Sequence, residues 1–215
     1  MHTLRKIFSM KKMTDAFYQR EDVVKISREL LGKLLVTNFN GLLTSGRIVE
    51  TEAYNGIIDK ASHAFGGRRT RRTEVMFGTG GFAYVYLCYG IHHMFNIVTN
   101  GHGIPHAILI RGIEPVEGKD IMLERMHKTI FNKTVGKGPG NVAKALGIQT
   151  IHTGYSLMSD ELFIADDGFI IKESQIIASP RIGVDYAGED AKLLYRFFLK
   201  DNSFVSRILK QDLQD

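Results

Sequence analysis

The sequence predicts an α+β fold: one compact domain built on antiparallel sheet. Two observations carry that expectation. Strand-like segments follow one another with few helices to act as crossovers. A chain of 215 residues, 44% hydrophobic and 24% charged, fills one core, at about 100–200 residues per domain.

Residues 21–31 carry Val23, Val24, Ile26, Leu30 and Leu31 at helical spacing and stop at Gly32, a normal C-terminal glycine. Residues 33–37 and 44–52 are expected strands around an Asn40-Gly41 turn. Residues 82–88 and 107–113 are further strands. Residues 116–127 are expected to be helical, and 141–146 to form a short helix after a glycine-rich loop. Residues 162–172 are expected to form a hairpin turning at Asp166-Asp167-Gly168. Residues 1–13 are basic, with no acid before Asp15, and are expected to be a flexible arm ahead of a domain spanning 14–215. They hold neither a long apolar stretch nor a small-residue cleavage site, so no secretory signal is expected.

Composition narrows the chemistry. Cys88 is the one cysteine, which rules out an internal disulfide and a cysteine-based zinc site; in its apolar run it is expected to be a buried small hydrophobe. His102 and His106 are four apart, but Gly103 and Pro105 between them argue against a helix, so no metal is expected. No apolar run approaches the roughly 18 residues of a membrane span, and no membrane partner is expected. The net charge of +5 permits a polyanionic partner without demanding one. Arg68, Arg69, Arg71 and Arg72 crowd one polar segment behind Lys60. Such a run is usually a solvated loop; here it lies between the two segments that could carry chemistry.

The first of these is 46–54. In a strand, Glu50, Glu52 and Tyr54 share one face. Two carboxylates beside an aromatic ring suit hydrolysis, with one activating water; a solvated acidic strand face gives the same pattern. The second is 82–90. Tyr84 and Tyr86 alternate onto one face, and Tyr89, beside Gly90, can project from a turn. Tyrosines near arginines can stack bases, although ordinary β core also favours tyrosine. The loop from Gly136 to Asn141 leads into a helix, whose free N–H groups and Lys137 suit phosphate. It lacks the nucleotide-binding P-loop pattern, and a structural turn explains it equally well.

Together these segments resemble the alkyladenine (3-methyladenine) DNA glycosylase family of the mammalian type. The specific matches are Gly46-Arg-Ile-Val-Glu-Thr-Glu-Ala-Tyr54, Ala61-Ser-His63, Gly66-Gly-Arg68, Met76-Phe77, Tyr84-Val-Tyr86, Tyr89-Gly90, Phe95-Asn-Ile97, Leu109-Ile-Arg111 and Glu114-Pro115. Weaker similarity runs from about Ser27 through Gly138-Pro139 and Pro180–Val184 to Phe204-Val-Ser206. The resemblance implies a curved antiparallel sheet with flanking helices and no helix-hairpin-helix. It implies a monofunctional enzyme that flips an alkylated purine out of duplex DNA and hydrolyses its N-glycosidic bond, since a stacked base hides that bond from water. Glu52 would be the base, with Arg111 and the carbonyl of Ile182 holding the water. Tyr54, His63 and Tyr86 would sandwich the base, electron-rich rings favouring the positive charge of purines alkylated at N3 or N7. Asn96 would crowd the amine of normal guanine, and Tyr89 would fill the vacated stack. Arg68, Thr70, Lys137 and Gly138 would contact the DNA backbone.

The partners so implied are double-stranded DNA containing an alkylated purine and water as co-substrate, with no cofactor. The protein would act as a monomer, in the bacterial cytoplasm at the nucleoid or in a eukaryotic nucleus. Gly78–Gly81 replaces a lysine- and proline-containing turn of the family pattern, and 99–106 differs in length. Both departures bear on substrate range more than on reaction type. Two rivals explain less. A non-catalytic nucleic-acid-binding protein leaves Glu52, Arg111 and Asn96 without a shared purpose. A carbohydrate hydrolase would need Glu50 and Glu52, side by side on one strand, to flank a sugar ring.

Overall fold

The structure, a computed structural model, describes residues 10–209 and Asp212. Nine strands among these residues make one open sheet: β1 (Lys11–Lys12), β2 (Leu34–Phe39), β3 (Leu42–Tyr54), β4 (Ala83–Cys88), β5 (His92–Thr99), β6 (His106–Glu117), β7 (Leu162–Asp166), β8 (Ile176–Ser179) and β9 (Arg196–Leu199). The order is β1-β7-β2-β3-β6-β5-β4, with β9 paired to β3 and to β8. Every pairing is antiparallel, so the α+β class holds. The α-helices are short: α1 (Asp15–Tyr18), α2 (Val23–Glu29), α3 (Lys119–Met126) and α4 (Pro139–Leu146).

Period two along β2 sends Leu35 into the main core while Leu34 and Val36 pack on Leu43 and Phe163. That main core is closed by Val23, Ile26 and Leu30 from the α2 region, Met122 and Met126 from α3, and Val142 and Leu146 from α4. Helix α2 starts where Asp22 accepts the Lys25 N–H at 2.9 Å, a side-chain cap for an otherwise orphaned donor. The β2–β3 turn has φ 54° at Asn40 and 78° at Gly41, the pair of positive values that a two-residue hairpin turn favours.

Strand β3 organises the molecule. Its first half pairs with β2 and its second half with β9, while β6 runs along its other edge. The β3–β6 register slips twice: Ile48 faces Ile113, Glu50 faces Gly112 and Thr51 faces Ile110. Val49 is thus the extra residue on one strand and Arg111 the extra residue on the other. Such bulges bend a strand locally and re-aim side chains. The one at Arg111 brings its guanidinium to the carboxylates of β3.

Several expectations shift. The helix expected over 116–127 begins only at Lys119, because Val116 and Glu117 finish β6 and Gly118, at φ 72°, turns the chain. The hairpin expected over 162–172 does not form. Its return position beside β7 is taken by β1, with Lys11 opposite Asp166 and Lys12 opposite Ala165. Beyond β7 the chain is instead tied across to β3, where Asp167 accepts two bonds from Arg47 at 3.0 and 2.7 Å. Strands β1, β5, β8 and β9 are additions to the expected set, β1 lying within the arm expected to be flexible. Of the arm expected over 1–13, residues 1–9 lie outside the described residues; Met13 donates its N–H to Ile164 at 2.9 Å. Among the described residues no helix is long and apolar enough to cross a membrane.

Candidate active site

Period two along β3 does put Glu50, Glu52 and Tyr54 together, and Arg111 joins them. Both carboxylates are fully buried. Glu52 Oε2 accepts from the Tyr54 hydroxyl at 2.8 Å and from Arg111 Nη1 at 3.3 Å, and Oε1 accepts from the Ile182 N–H at 2.7 Å. The Ile182 contact is thus made by its N–H group. Glu50 is enclosed differently, by Arg111 Nε at 3.1 Å, Arg196 Nε at 2.8 Å, the Ser206 hydroxyl at 2.8 Å and the Ser206 N–H at 2.6 Å. A Cβ at Gly112 would meet the Phe204 carbonyl at 2.8 Å, so the glycine makes room for the segment that carries Ser206. Buried charges persist when paired and hydrogen-bonded, and here two arginines serve two glutamates.

The electrostatics follow. Burial alone would weaken the Arg111 guanidinium, but Glu52 and Glu50 outweigh it and raise its pKa, keeping it charged. Burial, with the Glu52 charge beside it, raises the Tyr54 hydroxyl far above the ordinary phenol range. Tyr54 therefore donates to Glu52 and stays neutral.

Next to this cluster lies a cavity of about 410 Å³. Tyr54, His63, Tyr86, Asn96, Arg111, Ile182 and Tyr89 all line it, so the structure gathers the stacking, specificity and wedge candidates around one space. His63 lies edge-on to Tyr86, with centroids 4.6 Å apart, and its Nδ1 is 2.8 Å from the Tyr84 hydroxyl. Burial first, then Arg72 and Arg68, push its pKa down to about 4. The ring is uncharged at neutral pH. Asn96 Nδ2 donates to the carbonyls of Tyr84 at 3.1 Å and Met94 at 3.2 Å. Two backbone acceptors fix which end of the amide is nitrogen and stop it turning. Cys88, expected in the core, is only part-buried and lines the cavity wall.

At the rim, Tyr89 tops the β4–β5 hairpin with 92% of its surface exposed. Its φ is 51° and that of Gly90 is 73°. The arginine run is exposed: Arg69 is paired with Glu74 at 2.6 Å, while Arg68, Arg71 and Arg72 have no carboxylate partner among the described residues. Arg68 and Thr70 are outside the cavity lining, and Thr70 is engaged with Thr73, donating its N–H to Oγ1 at 2.8 Å. Gly138 precedes α4 at φ 94°. Lys137 lines a separate groove with Lys133 and Lys200. His102 is exposed and His106 packs toward Asn100 at 3.1 Å; neither lines the cavity. Among the described residues no three His, Cys, Asp or Glu side chains are grouped to hold a metal.

Three participants escaped the sequence reading: Tyr186 on the cavity wall, Arg196 against Glu50, and the Arg181–Asp59 pair. Arg196 carried a signal, because a lone arginine inside Tyr195–Leu199, an apolar run, asks for a buried partner. Neither glutamate lines the cavity, and both are fully buried. Glu52 is tied to it by Tyr54, Arg111 and Ile182, which do line it, whereas Glu50 is held mainly by Arg196 and Ser206, which do not. The two carboxylates therefore do not flank the space as a sugar-cleaving pair would.

The model of the methylpurine-DNA glycosylase (MPG) family matches residues 16–203. A protein of Clostridium acetobutylicum, provisionally named 3-methyladenine DNA glycosylase, is 44% identical over 209 residues, covering 94% of this chain and 100% of its own. Proteins with the same provisional name from Clostridium perfringens and Bacillus cereus are 44% and 46% identical, each covering 89% of this chain and 97% of its own.

Proposed function

The chain belongs to the methylpurine-DNA glycosylase family and is a DNA repair glycosylase, and from that premise we propose how its cavity works. A damaged purine, of the 3-methyladenine type that the relatives' names specify, is flipped from duplex DNA into the cavity between Tyr54, His63 and Tyr86. The glycosidic electron pair passes to the positively charged ring, which leaves as a neutral base. Positive charge develops on the sugar. Glu52 stabilises that charge and takes a proton from the attacking water, and Arg111 holds the water in line. The product is an abasic site in an unbroken strand. The observation that carries this reading is the single carboxylate, Glu52, held by Tyr54, Arg111 and Ile182 beside an aromatic cavity.

The other residues take supporting parts. Asn96, locked by two carbonyls, crowds the exocyclic amine of normal guanine. Tyr89 enters the stack that the base leaves. Arg68, Thr70, Lys137 and Gly138 meet backbone phosphates. The catalytic domain spans 14–215 and acts as a monomer.

The test is a pair of substitutions read by single-turnover excision of 3-methyladenine from methylated duplex. Glu52→Gln keeps the shape but loses both the charge and the proton acceptor, so excision should fall by ~10²–10⁴-fold or more while damaged duplex still binds. Glu50→Gln should act through folding and Arg111 orientation, with a smaller loss. Near wild-type excision by the Glu52 variant would overturn the assignment, and so would abolition of turnover by Glu50→Gln alone.

A further inference from the structure

A buried ion pair lies against the Tyr54 ring, and the chemistry above leaves it unused. Arg181 and Asp59 have side chains 0% and 1% exposed. They meet in a two-pronged contact, Nη1 to Oδ2 at 2.5 Å and Nη2 to Oδ1 at 2.8 Å. Asp59 is held further by the N–H groups of Asn55 and Ala61, both at 3.0 Å. Arg181 also donates to the carbonyls of Ala53 at 2.9 Å and Asp190 at 3.1 Å. Its Nε alone has no hydrogen-bond partner among the described residues, and its guanidinium lies 4.9 Å from the Tyr54 ring centroid. Tyr54 lines the cavity and Arg181 does not, so the charge lies against a wall ring without being part of the wall.

Stability is a weak reason to keep such a pair, because well-packed apolar residues commonly replace a buried ion pair without loss. Its position suggests another. A cation on one face of an aromatic ring draws on the same electron-rich quadrupole that attracts a cation on the other face. We propose that Arg181, held and partly neutralised by Asp59, sets the selectivity of the cavity between positively charged and neutral damaged purines through the Tyr54 ring. This rests on the reading of the cavity as the base pocket. The Arg181 charge lowers the advantage of cationic purines and so admits neutral ones. Arg181 is a positioning and selectivity residue; it does not touch the base.

The experiment compares dissociation constants for two duplexes, one carrying 7-methylguanine, which is cationic, and one carrying 1,N6-ethenoadenine, which is neutral. Both are built on 2′-fluoro sugars, which resist hydrolysis, so that binding alone is read. Arg181→Met should raise the preference for the cationic lesion by about threefold, from the size of an aromatic–cation contact. Asp59→Asn leaves the arginine charge uncompensated and should lower the preference by a similar factor. Arg181→Lys, which keeps the charge, should stay closer to wild type than Arg181→Met does. The two main variants shift in opposite directions, so if one fails to fold the other still decides. Equal changes for both lesions, or shifts of the same sign, would overturn the proposal. Wild-type protein that bound neither lesion better than undamaged duplex would overturn the base-pocket reading itself.

Discussion

At the scale of single residues, burial of His63 would serve the recognition proposed above. A charged imidazole would repel a cationic purine, and burial beside Arg72 and Arg68 keeps this one neutral by pushing its pKa down to about 4. The unfolded chain titrates near 6.5. Between those values the unfolded state takes up the proton more readily, so His63 makes the fold lose stability as pH drops from about 6.5 to about 4. His63→Gln should flatten that decline in denaturant titrations at several pH values, and an identical pH dependence in both proteins would remove the argument. Period two was enough to read Glu50, Glu52 and Tyr54 onto one face, and family resemblance chose Glu52 between the carboxylates. Both carboxylates are fully buried and differ in their partners, and no local pattern announces those of Glu50, since Arg196 and Ser206 lie 146 and 156 positions away. Arg181 and Asp59 are hidden for the same reason, being 122 positions apart.

Among the elements, the β4–β5 hairpin carries a visible cost. Tyr89 holds a positive φ that an aromatic residue rarely adopts, and at 92% exposure it recovers almost nothing by packing. Strain kept where packing gives no return points to function. Tyr89→Asn, with a residue that tolerates this conformation, should stabilise the protein by about 0.5–1 kcal/mol and lower the flipped population reported by a fluorescent base analogue. A variant that is both less stable and unimpaired in flipping would contradict the wedge role. Strands with clean alternation or a clear turn, such as β2, β3 and β4, were legible in the sequence. Strand β5 opens on His92 and His93, which blur its pattern, and β8 and β9 are only four residues each. The failed hairpin after β7 shows tertiary pairing winning over a good local turn signal, as β1 occupies that edge. Nothing local marked the two compensating bulges of β3 and β6.

For the whole molecule, exposed charge sets the encounter with DNA. Binding to undamaged duplex should weaken steeply with added salt, because each neutralised phosphate releases counterions. Arg68→Ala should flatten the logarithmic slope by roughly one unit. Arg69→Ala should do less, since Arg69 is already engaged by Glu74 and its loss frees that carboxylate. Equal slopes for Arg68→Ala and wild type would move the DNA surface elsewhere. The α+β class was legible because succession of strands with short helices survives local errors; the sheet order was not, because long-range pairing leaves no local mark. The enclosure of Glu50 also has a consequence in time. A ribosome adding roughly 5–20 residues per second finishes Glu50 long before Ser206, 156 positions later, an interval of roughly 8–30 s. Throughout that interval the growing chain carries a carboxylate destined for complete burial without its last donors. Strand β9, which pairs with Glu50–Glu52, is made in the same last stretch, so this end of β3 gains its sheet neighbour and its charge partners together, among the last parts of the protein to be completed.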